Sequence, residues 1–559
     1  MEGRSAMNDI EWEAPGPGHW ALDRSHVNRP ATLISQHVQQ YGTARGTRRM
    51  FAELGAPLDA LDFRFVNGML YSRVRPLIRP DSAATSLPPR FVLWSMIRIH
   101  PEMRRRAKTA SITAATRPWR RVTEDWARPG GLREQCATEN LAFQNVDRSA
   151  LSDTESIEHA LAVIDHAKEM WVRHFWLHGY DLSPIGVLLF SAKQWGIESS
   201  EVIPLLEGAS PSTSGPEAVL RRIREAVESS GRRPTSLDEM RDISSAIADE
   251  IDAFMYRRGA LIFSRYDIDG LCLQEAPEVL FSTIMAARDD AARRRSTEEV
   301  LARRVAAVRA RVPESERSAF DQALEEARVA MDLRDDNGPH TLEWPLGLMR
   351  LAMLNIGDRL VSRGFLQRST DALELAVEEI TTDLFVGKGP SADELNRRAT
   401  WRATVDVSDA PRLLGPVEPV PPPDVLPIDM ARLVGFVQTV LAEAGMDGQT
   451  RVSGLSGFGV GSDVYRGRAC RADSPEEAIV ALEPGDVLVV PCTTPAYNMV
   501  LTMAGAIVTA EGGALSHAAV LARELGIPAV VGAPGALDDI PHGATVEVDA
   551  ARGEVRVIG

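Results

Sequence analysis

The sequence predicts a multidomain protein, a large mainly α-helical domain followed by a smaller α/β domain at the C-terminus. Three observations predict it. The chain has 559 residues, more than a single core accommodates at roughly 100–200 residues per domain. From about residue 90 to 400, apolar residues recur at helical spacing. After Gly448 the texture changes to short β-branched runs that alternate with helical stretches and glycine turns.

In the helical part, Phe320, Leu324, Ala327 and Met331 fall at i, i+4, i+7 and i+11, one face of a helix. Met349, Met353, Ile356 and Leu360 repeat the pattern, with Arg and Glu on the opposite faces. These stripes predict amphipathic helices packed on one another. Breaks are expected at Glu207-Gly208-Ala209-Ser210-Pro211 and at Asn337-Gly338-Pro339. Leu413 to Pro427 is proline-rich and reads as an extended, semi-rigid linker. A short helix is expected over Ala431 to Ala444. The β-rich runs that follow are Asp463–Tyr465, Val487–Val490, Ala506–Thr509, Ala529–Val531, Thr545–Val548 and Val555–Ile558. The expected domains are therefore 1–412, a linker with its connecting helix at 413–447, and a compact α/β unit at 448–559, close to the modal domain size of about 100–150 residues.

The formal net charge of −16 argues against nucleic acid or an anionic membrane as partner, because both recruit basic surfaces. Cys136, Cys272, Cys470 and Cys492 are scattered with no CxxC pair, which fits reduced thiols in a cytoplasm. Met1 to Pro15 lacks the basic and apolar regions of a signal peptide. No apolar run of about 18 residues suggests a membrane span.

The segment from Gly512 to Gly532 reads GGALSHAAVLARELGIPAVVG. Two glycines after a strand permit positive φ and close backbone approach to a ligand. Ser516 suits an N-cap, Gly526 a C-terminal stop, and Pro528 prevents continuation. His517 is thus expected in the first turn of a helix, where unpaired N–H groups and the helix dipole favour a phosphate. An imidazole there can attack phosphorus and hold the phosphoryl group covalently. The dipole should lower its pKa and keep it neutral. Arg523, six residues on, either neutralises phosphate charge or faces solvent.

This string, with Gly485-Asp486-Val487-Leu488-Val489 and Thr494-Pro495 before it, resembles the phosphohistidine swivelling domain of phosphoenolpyruvate-utilising enzymes. Pyruvate phosphate dikinase, phosphoenolpyruvate synthase, phenylphosphate synthase and rifampicin phosphotransferase share that domain. The resemblance covers roughly residues 450–559. It implies a three-layer β/β/α fold that turns as a body on flexible linkers and is phosphorylated on His517, with Gly512, Gly513, Ser516 and Arg523 around the phosphate. A looser resemblance to the substrate-side region of rifampicin phosphotransferase and phenylphosphate synthase spans roughly residues 15–410. It rests on Trp20-Ala21-Leu22-Asp23-Arg24-Ser25-His26 with Arg29-Pro30, Leu206-Glu207-Gly208 before Ser210, Arg257-Arg258-Gly259, Tyr266-Asp267-Ile268-Asp269 and Arg334-Asp335-Asp336-Asn337. It implies a helical domain that binds a hydroxyl-bearing organic acceptor.

Relatives of this type load the histidine with an ATP-grasp domain. The sequence has no GxxxxGK[ST] and no glycine-rich loop between a strand and a helix. Nor does it have the strand–helix alternation of a barrel that would need about 250 residues. ATP and Mg are therefore expected on a separate ATP-grasp partner, and no cofactor on this chain.

Other candidates lie in the helical part. His174 and His178 share a helix face at i, i+4, a spacing compatible with a metal. With Trp171, Phe175 and Trp176 around them, an aromatic helix with satisfied histidines, or a substrate-lining role, is preferred, and no metal is expected. Arg257, Arg258 and Arg265 beside Asp267 and Asp269 form either a surface ion-pair set or a phosphate clamp with a carboxylate base. The expectation is an acceptor-side phosphotransferase of the dikinase type. It passes a phosphoryl group from His517 to an organic hydroxyl, with dehydration as a conceivable sequel. The alternative is a phosphohistidine relay or regulatory binding protein with no small-molecule acceptor.

Overall fold

A computed structural model describes residues 10–23, 29–82, 84–287, 291–405, 407–445, 454–473, 475–493 and 497–558. The sequence boundary at 447/448 and the Arg24-Ser25-His26 and Thr494-Pro495 motifs lie outside the described residues. Among those described, no helix is long and apolar enough to cross a membrane.

The helical domain is built around one 42-residue helix, Asp153–Gln194, started by a capping box between Ser152 and Glu155. The helix Leu33–Leu54 lies against it on a seam of small residues. A Cβ on Gly42 would come within 2.5 Å of Trp171 Cβ, and one on Gly46 within 2.4 Å of the Val172 carbonyl. Neither position can carry a side chain without forcing the helices apart.

The two apolar stripes read from the sequence lie in the core: Phe320, Leu324, Ala327 and Met331, then Met349, Met353, Ile356 and Leu360, are all buried. Their helices, Arg317–Gly338 and Trp344–Ser362, are not separated as expected. The Asn337-Gly338-Pro339 segment does not break the helix. Gly338 keeps helical dihedrals (φ −54°, ψ −57°), and residues Pro339–Glu343 form a π-helical turn that joins the two. Widening the turn accommodates a proline that has no N–H to donate. The other expected break stands, with one helical segment ending at Leu206 and the next starting at Pro211.

A four-stranded antiparallel sheet, in the order β2-β3-β1-β4, was not foreseen. It comprises β1 (Trp20–Leu22), β2 (Leu58–Val66), β3 (Met69–Pro76) and β4 (Leu413–Leu414). Asn67 (φ 50°) and Gly68 (φ 73°) turn β2 into β3, the residue pair that a two-residue hairpin prefers. The proline-rich stretch begins as the edge strand β4 and is held by Glu418, which accepts from Arg73 at 3.0 Å. The helix Ile428–Glu443 then lies on the long helix, where Gly186 admits Phe436.

Among the described residues, the C-terminal domain has seven strands in the order β11-β10-β6-β7-β8-β9-β5. They are β5 (Phe458–Val460), β6 (Val464–Arg471), β7 (Val487–Val490), β8 (Ala506–Thr509), β9 (Ala529–Val531), β10 (Thr545–Asp549) and β11 (Glu554–Val557). β6 through β9 run parallel and the flanks are antiparallel. Alternate residues of the parallel strands face opposite ways. Leu488, Val490, Ile507, Ala529 and Val531 pack under helical residues such as Ala518 and Ala522. Val487, Val489, Val508 and Val530 pack instead against Val546, Val548 and Val555 of β10 and β11. The result is helices on one face and a folded-over β ribbon on the other, the three-layer β/β/α arrangement. Among the described strands of this domain, β5 is the one that the sequence pattern does not predict.

Candidate functional site

His517 opens the helix His517–Leu525. The strand β8 delivers the chain to a glycine turn, and Ser516 caps the helix by accepting from Ala519 N–H at 3.4 Å. Gly526 (φ 62°) ends the helix in the left-handed conformation. The local chemistry of the motif therefore produces the expected placement. The two glycines have a further duty. Gly512 holds φ 118°, and a Cβ on Gly513 would lie 2.4 Å from the Glu443 carbonyl. The close approach that requires Gly513 is thus to the end of the connecting helix.

Thr493, just past β7, has its Oγ1 2.9 Å from His517 Nδ1. This contact fixes the ring across two loops that are far apart in sequence. Burial, then the neighbouring Arg334 cation, push the imidazole down to about 3. The ring is neutral throughout the ordinary pH range.

Arg334 comes from the helical domain. Its Nη2 donates to the Leu515 carbonyl at 2.8 Å, while its buried Nη1 has no hydrogen-bond partner among the described residues. Arg523 is half-buried, not solvent-facing. Burial pushes it down to about 10, its guanidinium lies 5.8 Å from the Phe458 ring centre, and its Nη2 is likewise buried without a partner among the described residues. Arg334 is within electrostatic reach of both His517 and Arg523. Buried N–H groups left over on two arginines require an explanation, and a phosphate would supply one.

The C-terminal domain is docked in this structure with His517 at the seam. Ala514, Leu515 and Val520 join a core with Leu177, Leu188, Met331 and Leu333 of the helical domain. Leu515 N–H donates to the Glu443 carbonyl (2.9 Å), and Gly208 N–H donates to Glu524 Oε1 (2.9 Å).

The other candidates separate into two groups. Asp267 is buried and occupied: it accepts from Thr32 N–H (2.7 Å), Thr32 Oγ1 (2.5 Å) and Ser35 Oγ (2.7 Å). It anchors the start of the helix Leu33–Leu54, which does not suit a free carboxylate base. Asp269 is bound by Arg402 (2.9 Å) and Arg29, with Arg265 at 3.7 Å. Arg265 therefore belongs to an ion-pair set. His174 and His178 are linked to each other (Nε2 to Nε2, 3.2 Å). His174 Nδ1 meets Thr341 Oγ1 (3.0 Å) and His178 Nδ1 meets the buried Asp181 (2.9 Å). All four ring nitrogens are engaged, which describes a hydrogen-bonded chain inside an aromatic helix.

Arg258 stands apart. It faces Asp336 and Glu343, and burial lowers its pKa. It also lines a cleft of about 540 Å³ together with Phe254, Arg257, His340 and Trp344. The sequence reading did not single out Glu343. Its carboxyl is buried, its Oε1 has no hydrogen-bond partner among the described residues, and burial pushes it up to about 8. The only trace of it in the sequence is Pro339, four residues earlier, because that proline sits where the π turn begins.

Comparison with known proteins agrees with this geometry. The family model of the mobile domain of phosphoenolpyruvate-utilising enzymes matches residues 482–553. A chondramide synthase of Chondromyces crocatus is 26% identical over 98% of this chain, which corresponds to 14% of that protein. A phosphoenolpyruvate synthase of Aeropyrum pernix is 46% identical over 20% of the chain and 13% of its own length. An uncharacterised phosphotransferase of Bacillus subtilis is 28% identical over 43% of the chain and 27% of its own length. The chain thus spans about a quarter or less of these relatives. The first likeness runs through the helical part as well as the C-terminal domain.

Proposed function

We propose that this chain, whose C-terminal domain belongs to the mobile domains of phosphoenolpyruvate-utilising enzymes, is the acceptor-side part of a phosphotransferase. His517 receives a phosphoryl group on Nε2, because Thr493 engages Nδ1. It passes the group to a hydroxyl of an organic molecule held in the helical domain. The observation that carries this reading is the docked His517, a neutral imidazole at a helix N-terminus, with Arg334 of the other domain beside it. A neutral ring is the nucleophilic form. Arg334 and Arg523 supply N–H groups and charge for the phosphoryl oxygens, and phosphoryl transfer depends chiefly on such positioning and neutralisation.

Loading falls to a separate ATP-grasp protein with its own ATP and Mg, since the sequence carries no nucleotide-binding motif. The domains 1–412 and 448–559 would part for loading and close for transfer, the 413–447 segment linking them.

The test is incubation of the chain and an ATP-grasp candidate with γ- and β-labelled ATP. Acid-labile, base-stable label is expected on the wild type and none on His517→Ala. Label that persists in His517→Ala, or no label with any donor, refutes the reading. Label that no small hydroxyl compound discharges favours a relay protein instead.

A further inference from the structure

The cleft of about 540 Å³ in the helical domain is framed by three elements. They are the helix Pro211–Ser229, the helix Ser245–Arg258, and the π turn Pro339–Glu343 with the helix Trp344–Ser362 that follows it. Its volume falls within the roughly 300–1,000 Å³ of small-molecule sites. Among the described residues that line it, none belongs to the C-terminal domain. The π turn in one wall is itself a signal, because such turns forfeit regular hydrogen bonding and concentrate at functional sites.

Much of the lining is apolar or aromatic. Val219, Phe254, Leu261 and Trp344 supply it, and the His340 ring lies 6.2 Å from the Trp344 ring. The charged groups are chiefly cations. Glu250 is the single acid among the described lining residues, and it is paired with Arg222 at 3.3 Å. The side chains of Arg257 and Arg258 make no ion pair and no hydrogen bond among the described residues. Arg258 is within electrostatic reach of Asp336 and Glu343, yet neither neutralises it. Asp336 is engaged by His340 (3.3 Å) and Arg133 (3.7 Å). Burial pushes the Glu343 carboxyl up to about 8, so at neutral pH it is mostly protonated. Two guanidinium groups therefore meet an apolar cleft with charge left over. The end of a helix favours cations, but it gives a desolvated guanidinium no counter-ion. A bound anion would.

We propose that this cleft binds a small aromatic acid, its ring against Phe254 and Trp344 and its carboxylate or phosphate held by Arg257 and Arg258. The ring follows from the lining, since apolar and aromatic walls with a few placed polar groups are what small-molecule sites present. The anionic group follows from the two arginines, whose planar forks match carboxylate and phosphate oxygens. The site belongs to the helical domain alone. It goes beyond the phosphotransferase reading and stands whether or not His517 carries phosphate.

The experiment is calorimetric titration of the full chain at neutral pH with three probes: 2-naphthoate, 1-naphthyl phosphate and the neutral 2-naphthalenemethanol. Both anions are expected to saturate one site per chain and to bind more tightly than the alcohol. Arg257 and Ala253 are exposed, so replacing them spares the core. Arg257→Ala should weaken both anions about tenfold, the loss of one charge-assisted contact, and leave the alcohol unchanged. Ala253→Trp fills the cleft and should abolish binding of all three. His517→Ala should bind as the wild type does. Thermal melting serves to show that each variant is folded, and if Ala253→Trp is not, Arg257→Ala against the alcohol decides the matter. Absence of saturable anion binding, anions no tighter than the alcohol, or wild-type anion affinity in Arg257→Ala overturns the proposal. So does binding that disappears in His517→Ala, which would place the probe at the domain seam. None of these results bears on phosphorylation of His517, so the two readings fail separately.

Discussion

At the scale of single residues, His517 and Arg334 form a unit that neither domain contains alone. Burial is the larger cause of the depressed imidazole pKa, and the Arg334 cation adds to it. Arg334→Ala is therefore expected to move the pKa of His517 up from about 3 toward its ordinary value without restoring it fully. An NMR titration of the His517 ring would check this, and an unchanged pKa would separate Arg334 from the site. The helix around His517 is legible in the sequence because its determinants are local: Ser516 as cap, Gly526 as stop and Pro528 beyond. Its partners are not. Thr493 lies 24 positions earlier and Arg334 lies in another domain, so no spacing along the chain relates them.

At the scale of elements, the position most changed by the structure is Asp267. A motif that resembles a substrate region contributes instead an anchor for the Leu33–Leu54 helix, through three hydrogen bonds to Thr32 and Ser35. Asp267→Ala should destabilise the helical domain by about 2–4 kcal/mol, because two hydroxyls and a backbone N–H lose a charged acceptor in a buried place. Urea denaturation measures this, and a midpoint equal to wild type would contradict it. The helix Arg317–Ser362 teaches a related lesson. Gly338-Pro339 is a strong break signal, yet Leu333, Leu342, Leu346 and Met349 around it are all buried. Burial of that continuous face outweighs the preference of two residues, and the conflict is resolved by a π turn. The missed hairpin is of a different kind, since Asn67-Gly68 is a recognised turn signal that the helical texture downstream overshadowed.

At the scale of the whole molecule, two titrating groups at the seam pull docking in opposite directions. His517 has a lowered pKa when docked, so its contribution to docking is complete above about 6.5 and is lost as pH falls from there toward 3. Glu524 accepts from Gly208 N–H, and burial, with Asp335 and Glu207 nearby, pushes it up to about 7 from 4.5. A carboxyl raised by docking binds its proton more tightly there. Its contribution is complete below about 4.5 and is lost as pH rises through 7. The two losses offset each other between about pH 4.5 and 6.5, so the docked form should be most favoured there and weaken as pH rises through 7 or falls below 4.5. Small-angle scattering should show the chain expanding toward pH 8.5 in the wild type and much less in Glu524→Gln, which keeps the seam uncharged. Equal expansion in both would remove Glu524 from the control of docking.

The sequence by itself determined the division into a helical part and a C-terminal α/β part, most of the strands of the latter, and the helix that begins at His517. All of these follow from local signals: periodicity, caps, glycine and proline. Only the tertiary structure decided what faces His517. Arg334 and Thr493 are brought to the His517 segment by the packing of helices and sheet, and the lowered pKa of the imidazole arises from its burial there and from the Arg334 cation. A single stretch of chain encodes which residues it places on a face. The solvent they lose and the charges they meet depend on surfaces contributed from hundreds of residues away.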